Sequence, residues 1–149
     1  MRIASPAFEN GQPIPEKHSC DGEDVSPALT WDDVPQGAKS LTLLVEDPDA
    51  PRGTWDHWIV FNVPSAVKGL REGAGAGNLP GQALHGRNSW TRNNWGGPCP
   101  PSGTHRYFFK LFALDAMLDL SQGASKAELL EATDGHILDK AELMGTYKR

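Results

Sequence analysis

Residues Asp47–Val60 read DPDAPRGTWDHWIV, packing acids, two prolines, a glycine, two tryptophans and a histidine between two apolar runs. Upstream, LTLLVED is rich in Leu and Val; downstream, HWIVFNV is β-branched and aromatic. Short runs of this composition, bounded by turn residues, make strands buried on both faces. If the two pair across the loop, the first ends at Asp47 and the second opens at His57, so these side chains are expected to face each other at the loop mouth. A carboxylate accepting from an imidazole fixes the ring's tautomer, favours its protonated form and leaves the other nitrogen for a ligand.

The chain around this stretch has the totals of one globular domain, 1–149, since a chain of 149 residues can bury about 68–70% of its unfolded surface. Its 16 Gly and 12 Pro point to a loop-rich, mainly β protein. A net charge of −5 argues against general affinity for nucleic acid or anionic membrane, because phosphate binding is driven by Lys and Arg. The opening MRIASPAFENGQPIPEKH lacks the apolar segment of a signal peptide, and no later segment has the length and apolarity of a membrane span, so a cytoplasmic location is expected. Cys20 and Cys99 are too far apart for a CxxC motif and are expected to be reduced thiols, as in most cytosolic proteins.

Before Asp47, the proline-punctuated pieces around Ile14 and Leu29–Trp31 read as short edge strands and turns. Lys68–Arg87, with its GAGAG core, reads as a long surface loop, because a phosphate-binding glycine loop would need a strand before it and a helix after it. Asn88–Gly103 (NSWTRNNWGGPCPPSG) is non-repetitive but stiffened by prolines and tryptophans, so an ordered loop is expected. HRYFFKLFALD alternates and is rich in β-formers, predicting a central strand. Ser125 and Glu128 form a capping-box signature ahead of a short helix. The tail ILDKAELMGTYKR fits a strand, with Leu143, Gly145 and Tyr147 on one face, as well as it fits a helix.

Period-two alternation in the strand from His105 places His105 and Tyr107 on one face and Arg106 on the other. His57 and His105 thus each sit where a rigid loop meets a strand. If the strands are neighbours, Asp47, His57, His105 and Tyr107 converge on a pocket rimmed by Pro51, Trp55, Gly97 and Pro98. This set supplies an acceptor, two imidazoles and a phenol donor, suited to a phosphate or carboxylate. Asp49 is a turn acid. Trp31, Trp58 and Trp90 read as packing residues, and His18, His85 and His136 as structural or surface residues.

The stretches DPDAP, HWIVFN and GPCPPSGTHRYFF, with PAFENGQPIP, CDGEDVSPALTW and GHIL in order around them, resemble the phosphatidylethanolamine-binding protein (Raf kinase inhibitor protein) family, in its small prokaryotic branch. The resemblance implies a large central antiparallel sheet packed on a smaller one, with one or two short C-terminal helices. It implies an anion pocket from Asp47, His57, His105 and Tyr107, with Asp49, Ala50, Pro51, Trp55, Gly97 and Pro98 beside it. Ser89 stands where relatives often carry aspartate. The functional expectation is a small binding or regulatory protein for a phosphate, phosphorylated head group or nucleotide, without a cofactor, and an inhibitor of a kinase or serine protease. The competing class is a phosphoester or acyl hydrolase using the same cluster, disfavoured because no GxSxG or HExxH motif supplies a nucleophile or metal site. A homodimer is the default oligomer.

Overall fold

The computed structural model describes residues 1–149. In chain order it contains β1 (Arg2–Ala4), β2 (Leu29–Asp32), β3 (Ser40–Asp47), β4 (Trp55–Pro64), β5 (Gly69–Leu70), β6 (Leu84–His85), β7 (Thr104–Leu114), helix α1 (Lys126–Thr133) and β8 (Ile137–Lys148). Five strands form one antiparallel sheet in the order β6-β4-β3-β7-β8, and β1-β2-β5 form a smaller one. The expected mainly β, two-sheet architecture is therefore present, with a single α-helix.

Strand β3, buried at every residue, is the middle of the large sheet. One face carries Leu41, Leu43, Val45, Trp58, Val60, Phe109 and Leu111 against Ile3, Leu29, Trp31 and Leu70 of the small sheet. The other face carries Leu44, Ile59, Phe61 and Leu114, covered by Leu118 and Ala124 of the preceding loop and by Leu129 of α1. The helix starts as its capping box dictates: Ser125 Oγ accepts from the Glu128 amide and Glu128 Oε1 from the Ser125 amide. On this face Lys126 is bonded to both Glu46 and Asp56, and Lys110 pairs with Glu46 at 2.8 Å.

Three expectations are settled or changed. The C-terminal tail is a strand: β8 pairs with β7 from Thr104↔Lys148 to Leu114↔Ile137, and Leu143, Gly145 and Tyr147 share the buried face. Lys68–Arg87 is not a free surface loop, since it contributes β5 and β6 and buries Leu70, Ala74, Gly75 and His85. At Gly75 even a Cβ would meet Trp95 Cβ at 2.3 Å, so the glycine serves close packing. The early strand β2 likewise lies in the middle of its sheet, not at an edge.

Cys20 and Cys99 are not reduced thiols; they form a disulfide with Cα atoms 5.5 Å apart. The reason is proximity invisible in the sequence. The Glu16–Asp24 turn and the loop after Trp95 run side by side, joined by Cys20 N–H to Pro98 O (3.1 Å), Gly97 N–H to Asp24 Oδ1 (2.8 Å) and Trp95 Nε1–H to His18 O (3.2 Å). That brings the sulfurs within bridging range.

Candidate functional site

At the C-terminal end of β3, a cavity of about 330 Å³ opens between the flanking strands β4 and β7. Asp47, His57, His105 and Tyr107 all line it, as do Ala50, Pro51, Trp55 and Gly97. Their convergence needs no pairing of β4 with β7, because β3 lies between the two and ends in Asp47.

The polar pairing differs from the sequence expectation. Asp47 Oδ2 accepts from His105 Nδ1 at 2.7 Å, and Asp47 Oδ1 accepts from the Asp49 amide at 2.8 Å. His57 instead places Nδ1 2.7 Å from the Gly96 carbonyl. A bulge causes the exchange: Val45 pairs with Trp58 and Glu46 with Asp56, so His57 is the extra residue opposite β3. The bulge turns His57 and Trp58 to the same side of the sheet, one lining the cavity and the other entering the core.

Both acceptors accept only, so both rings carry a proton on Nδ1 and leave Nε2 without a protein partner. The Tyr107 hydroxyl is also buried without a partner. Burial disfavours the phenolate and the nearby Asp47 charge adds to this, pushing Tyr107 up, so it is a neutral donor. Burial pushes His57 below its ordinary value, only partly opposed by the Gly96 carbonyl and Asp47. The protein surroundings alone thus favour a neutral His57.

Rings complete the walls. His57 meets Tyr107 edge-on at 5.1 Å and Trp90 at 4.9 Å, and Trp90 meets Trp55 at 5.5 Å. Trp90 was expected to be packing only, but it lines the cavity, and Arg92, over its ring at 5.5 Å, is the one lysine or arginine there. Both are held by buried Asn88, whose Oδ1 accepts from the Trp90 and Arg92 amides. The asparagine between glycine- and tryptophan-bearing segments was the available signal, because an Asn side chain commonly organises a turn two residues on. Ser89 Oγ accepts from the Asp56 amide at 2.8 Å, so that loop keeps a contact to β4.

Two expected members lie off the cavity. Asp49 turns outward and clamps Arg106 through its Nε, Nη2 and backbone amide, and these bonds hold the carboxyl down at about 2. Pro98 is buried behind the wall, its carbonyl committed to Cys20, while Cys99, Pro100 and Pro101 face the cavity. Alternation cannot place residues in an irregular loop, which is why the proline was misassigned. Asp24 and Cys20, from the early turn, also line the site.

A family model described as phosphatidylethanolamine-binding protein matches residues 4–148. The UPF0098 protein of Methanothermobacter thermautotrophicus is 50% identical over 150 residues, covering 100% of this chain and 99% of the relative. A crystal structure of a phosphatidylethanolamine-binding protein homologue from Chlamydia trachomatis is 46% identical, with a TM-score of 0.92 over 99% of this chain and 97% of that one. E. coli YbcL, described as a member of the mammalian PEBP family, is 34% identical, with a TM-score of 0.93 over 99% and 98% of the two chains.

Proposed function

Since the chain belongs to the phosphatidylethanolamine-binding protein family, we propose that it is a small binding and regulatory protein, not an enzyme, whose cavity takes a phosphate or similar anion. The ligand class covers inorganic phosphate, a phosphorylated head group and a nucleotide. The observation that carries this reading is that His57 Nε2, His105 Nε2 and the Tyr107 hydroxyl belong to side chains lining one cavity and have no protein partner. An anion with several oxygens would answer that need, and a protonated His57 would supply the charge that the resting site lacks. Arg92 would attract the ligand to the rim.

The lining contains no serine or threonine, and its two cysteines are joined, so no hydroxyl of that type and no free thiol stands beside His57 or His105 as a nucleophile. This supports binding over hydrolysis. Inhibition of a kinase or serine protease belongs to the same proposal, with occupancy of the cavity as its control. No helix of this chain is long and apolar enough to cross a membrane; the proposed location is the cytoplasm, which sets the Cys20–Cys99 bridge against a reducing thiol pool.

Calorimetry with inorganic phosphate, phosphoethanolamine and nucleotides tests the reading. Binding is expected to weaken at least about tenfold in His57→Ala and His105→Ala, the loss of one charge-assisted hydrogen bond each. Undiminished binding in both variants removes the site. Turnover of phosphoesters or peptides that disappears in His57→Ala would replace the binding reading with the enzymatic one.

A further inference from the structure

The Cys20–Cys99 bridge stands at the mouth of the cavity: both residues line it and both are exposed to solvent. It ties the early turn to the loop that gives the cavity Gly97, Cys99, Pro100 and Pro101. The hydrogen bonds from Cys20 to Pro98, from Gly97 to Asp24 and from Trp95 to His18 hold the same two segments without the sulfurs. Opening the bridge would thus release the outer part of one wall while leaving its base attached.

The sulfurs are not equivalent. Arg149 Nη1 donates to Cys99 Sγ at 3.4 Å. That arginine is anchored by Asp21 at 3.2 Å and by reciprocal backbone bonds to Gly103 at 3.0 and 3.1 Å. A guanidinium at this distance stabilises a thiolate on Cys99, making it the better leaving group and directing attack to Cys20. Exposed disulfides are the ones open to exchange, and those of reducing compartments are mostly transient or sensing.

We propose that Cys20–Cys99 is a thiol–disulfide exchange site for a dithiol reductant and that its state sets the stiffness of the cavity wall. The effect on ligand affinity rests on the anion-binding reading; the exchange and the loosening do not. One thiolate of the dithiol attacks Cys20 Sγ, the Cys20–Cys99 bond breaks, and Cys99 leaves as a thiolate beside Arg149. The dithiol's second thiolate then displaces Cys20 from the mixed disulfide. The dithiol is oxidised by two electrons, and its two protons pass to the cysteines or to solvent.

Dithiothreitol is the probe. Thiol titration of the native protein should release two thiols, and Arg149→Gln should slow that release about three- to tenfold by weakening the leaving group. The reduced protein should keep its far-ultraviolet circular dichroism, while the His57 and His105 imidazole resonances shift and broaden. A Cys20→Ser/Cys99→Ser double variant should show the same resonances without reductant. Phosphate affinity should fall about tenfold on reduction, the loss of a preorganised wall. A bridge that reduces only in denaturant, an unchanged rate in Arg149→Gln, or unmoved imidazole resonances in reduced protein would each overturn the proposal. Absence of phosphate binding in both redox states would overturn the anion reading alone, because the resonances report the wall without a ligand.

Discussion

Asp47 uses both oxygens on partners of its own segment and of β7, so its charge is directed at His105 and only indirectly at His57. His57 is consequently the residue whose charge is free to change. It faces Asp47, Asp56, the Gly96 carbonyl and the rings of Trp90 and Tyr107, and burial keeps it below its ordinary value. An anion at Nε2 would favour the imidazolium, so binding would take up a proton and tighten as pH falls from the bound-state value toward the lower free-state one. Sulfate, which does not itself titrate in this range, should bind more tightly at about pH 5.5 than at about pH 8, and calorimetry in buffers of different ionisation heat should read proton uptake. Equal affinity at both ends would exclude the linkage. Arg92, exposed at the rim, is expected to act through attraction more than contact: Arg92→Gln should weaken sulfate about three- to tenfold at low ionic strength, and less as salt is added.

At the scale of elements, the regular strands were legible and the joints were not. Alternation places Tyr107, Phe109 and Leu111 on the core face of β7, and Ser125 with Glu128 marks the start of α1, because both signals depend on local periodicity or local hydrogen bonding. The β4 bulge at His57 has no such signal, and it changes which imidazole the acid holds. Pro98 and Trp90 were misread for the same reason, as loop residues whose facing is set by partners distant in sequence. The loop carrying Gly97 offers a sharp test. A Cβ there would lie 2.1 Å from His18 O and 2.4 Å from Asp24 Oδ1, so Gly97→Ala should cost about 1–3 kcal/mol and weaken phosphate binding. Ser125→Ala should cost about 1 kcal/mol in urea unfolding and leave the cavity's affinity untouched, because α1 packs on the opposite face of the sheet.

For the molecule as a whole, the disulfide and the buried His85 each tie stability to solution conditions. The bridge spans a sequence separation of 79, for which the chain-entropy relation gives about 4.5 kcal/mol. Cys20→Ser/Cys99→Ser should therefore lower Tm by about 10–15 °C, read by calorimetry. The pairing was illegible in the sequence because only the folded turn brings Cys20 to the loop after Trp95. His85 is buried beneath Trp58, which donates Nε1–H to its Nε2 at 2.9 Å, and burial takes its pKa to about 4. In the unfolded chain it titrates near its ordinary value of about 6.5. Between these values the unfolded state binds more protons, so this contribution to stability is full above about pH 6.5 and is lost as pH falls toward about 4. Urea midpoints should drop across that window, and His85→Gln, which keeps an acceptor for Trp58, should reduce the drop.

The outer edge of β8 is occupied by the chain's own early segment: Gly11 donates to Met144 O, Ile14 donates to Thr146 O, and Thr146 donates to Gln12 O. During synthesis, residues 11–14 therefore emerge long before the strand they pair with exists. The central strand β3 waits similarly for β7, which begins at Thr104. The early segment and β8 thus close each other's open backbone groups, so residues 11–14 and the outer edge of β8 should open to hydrogen exchange together.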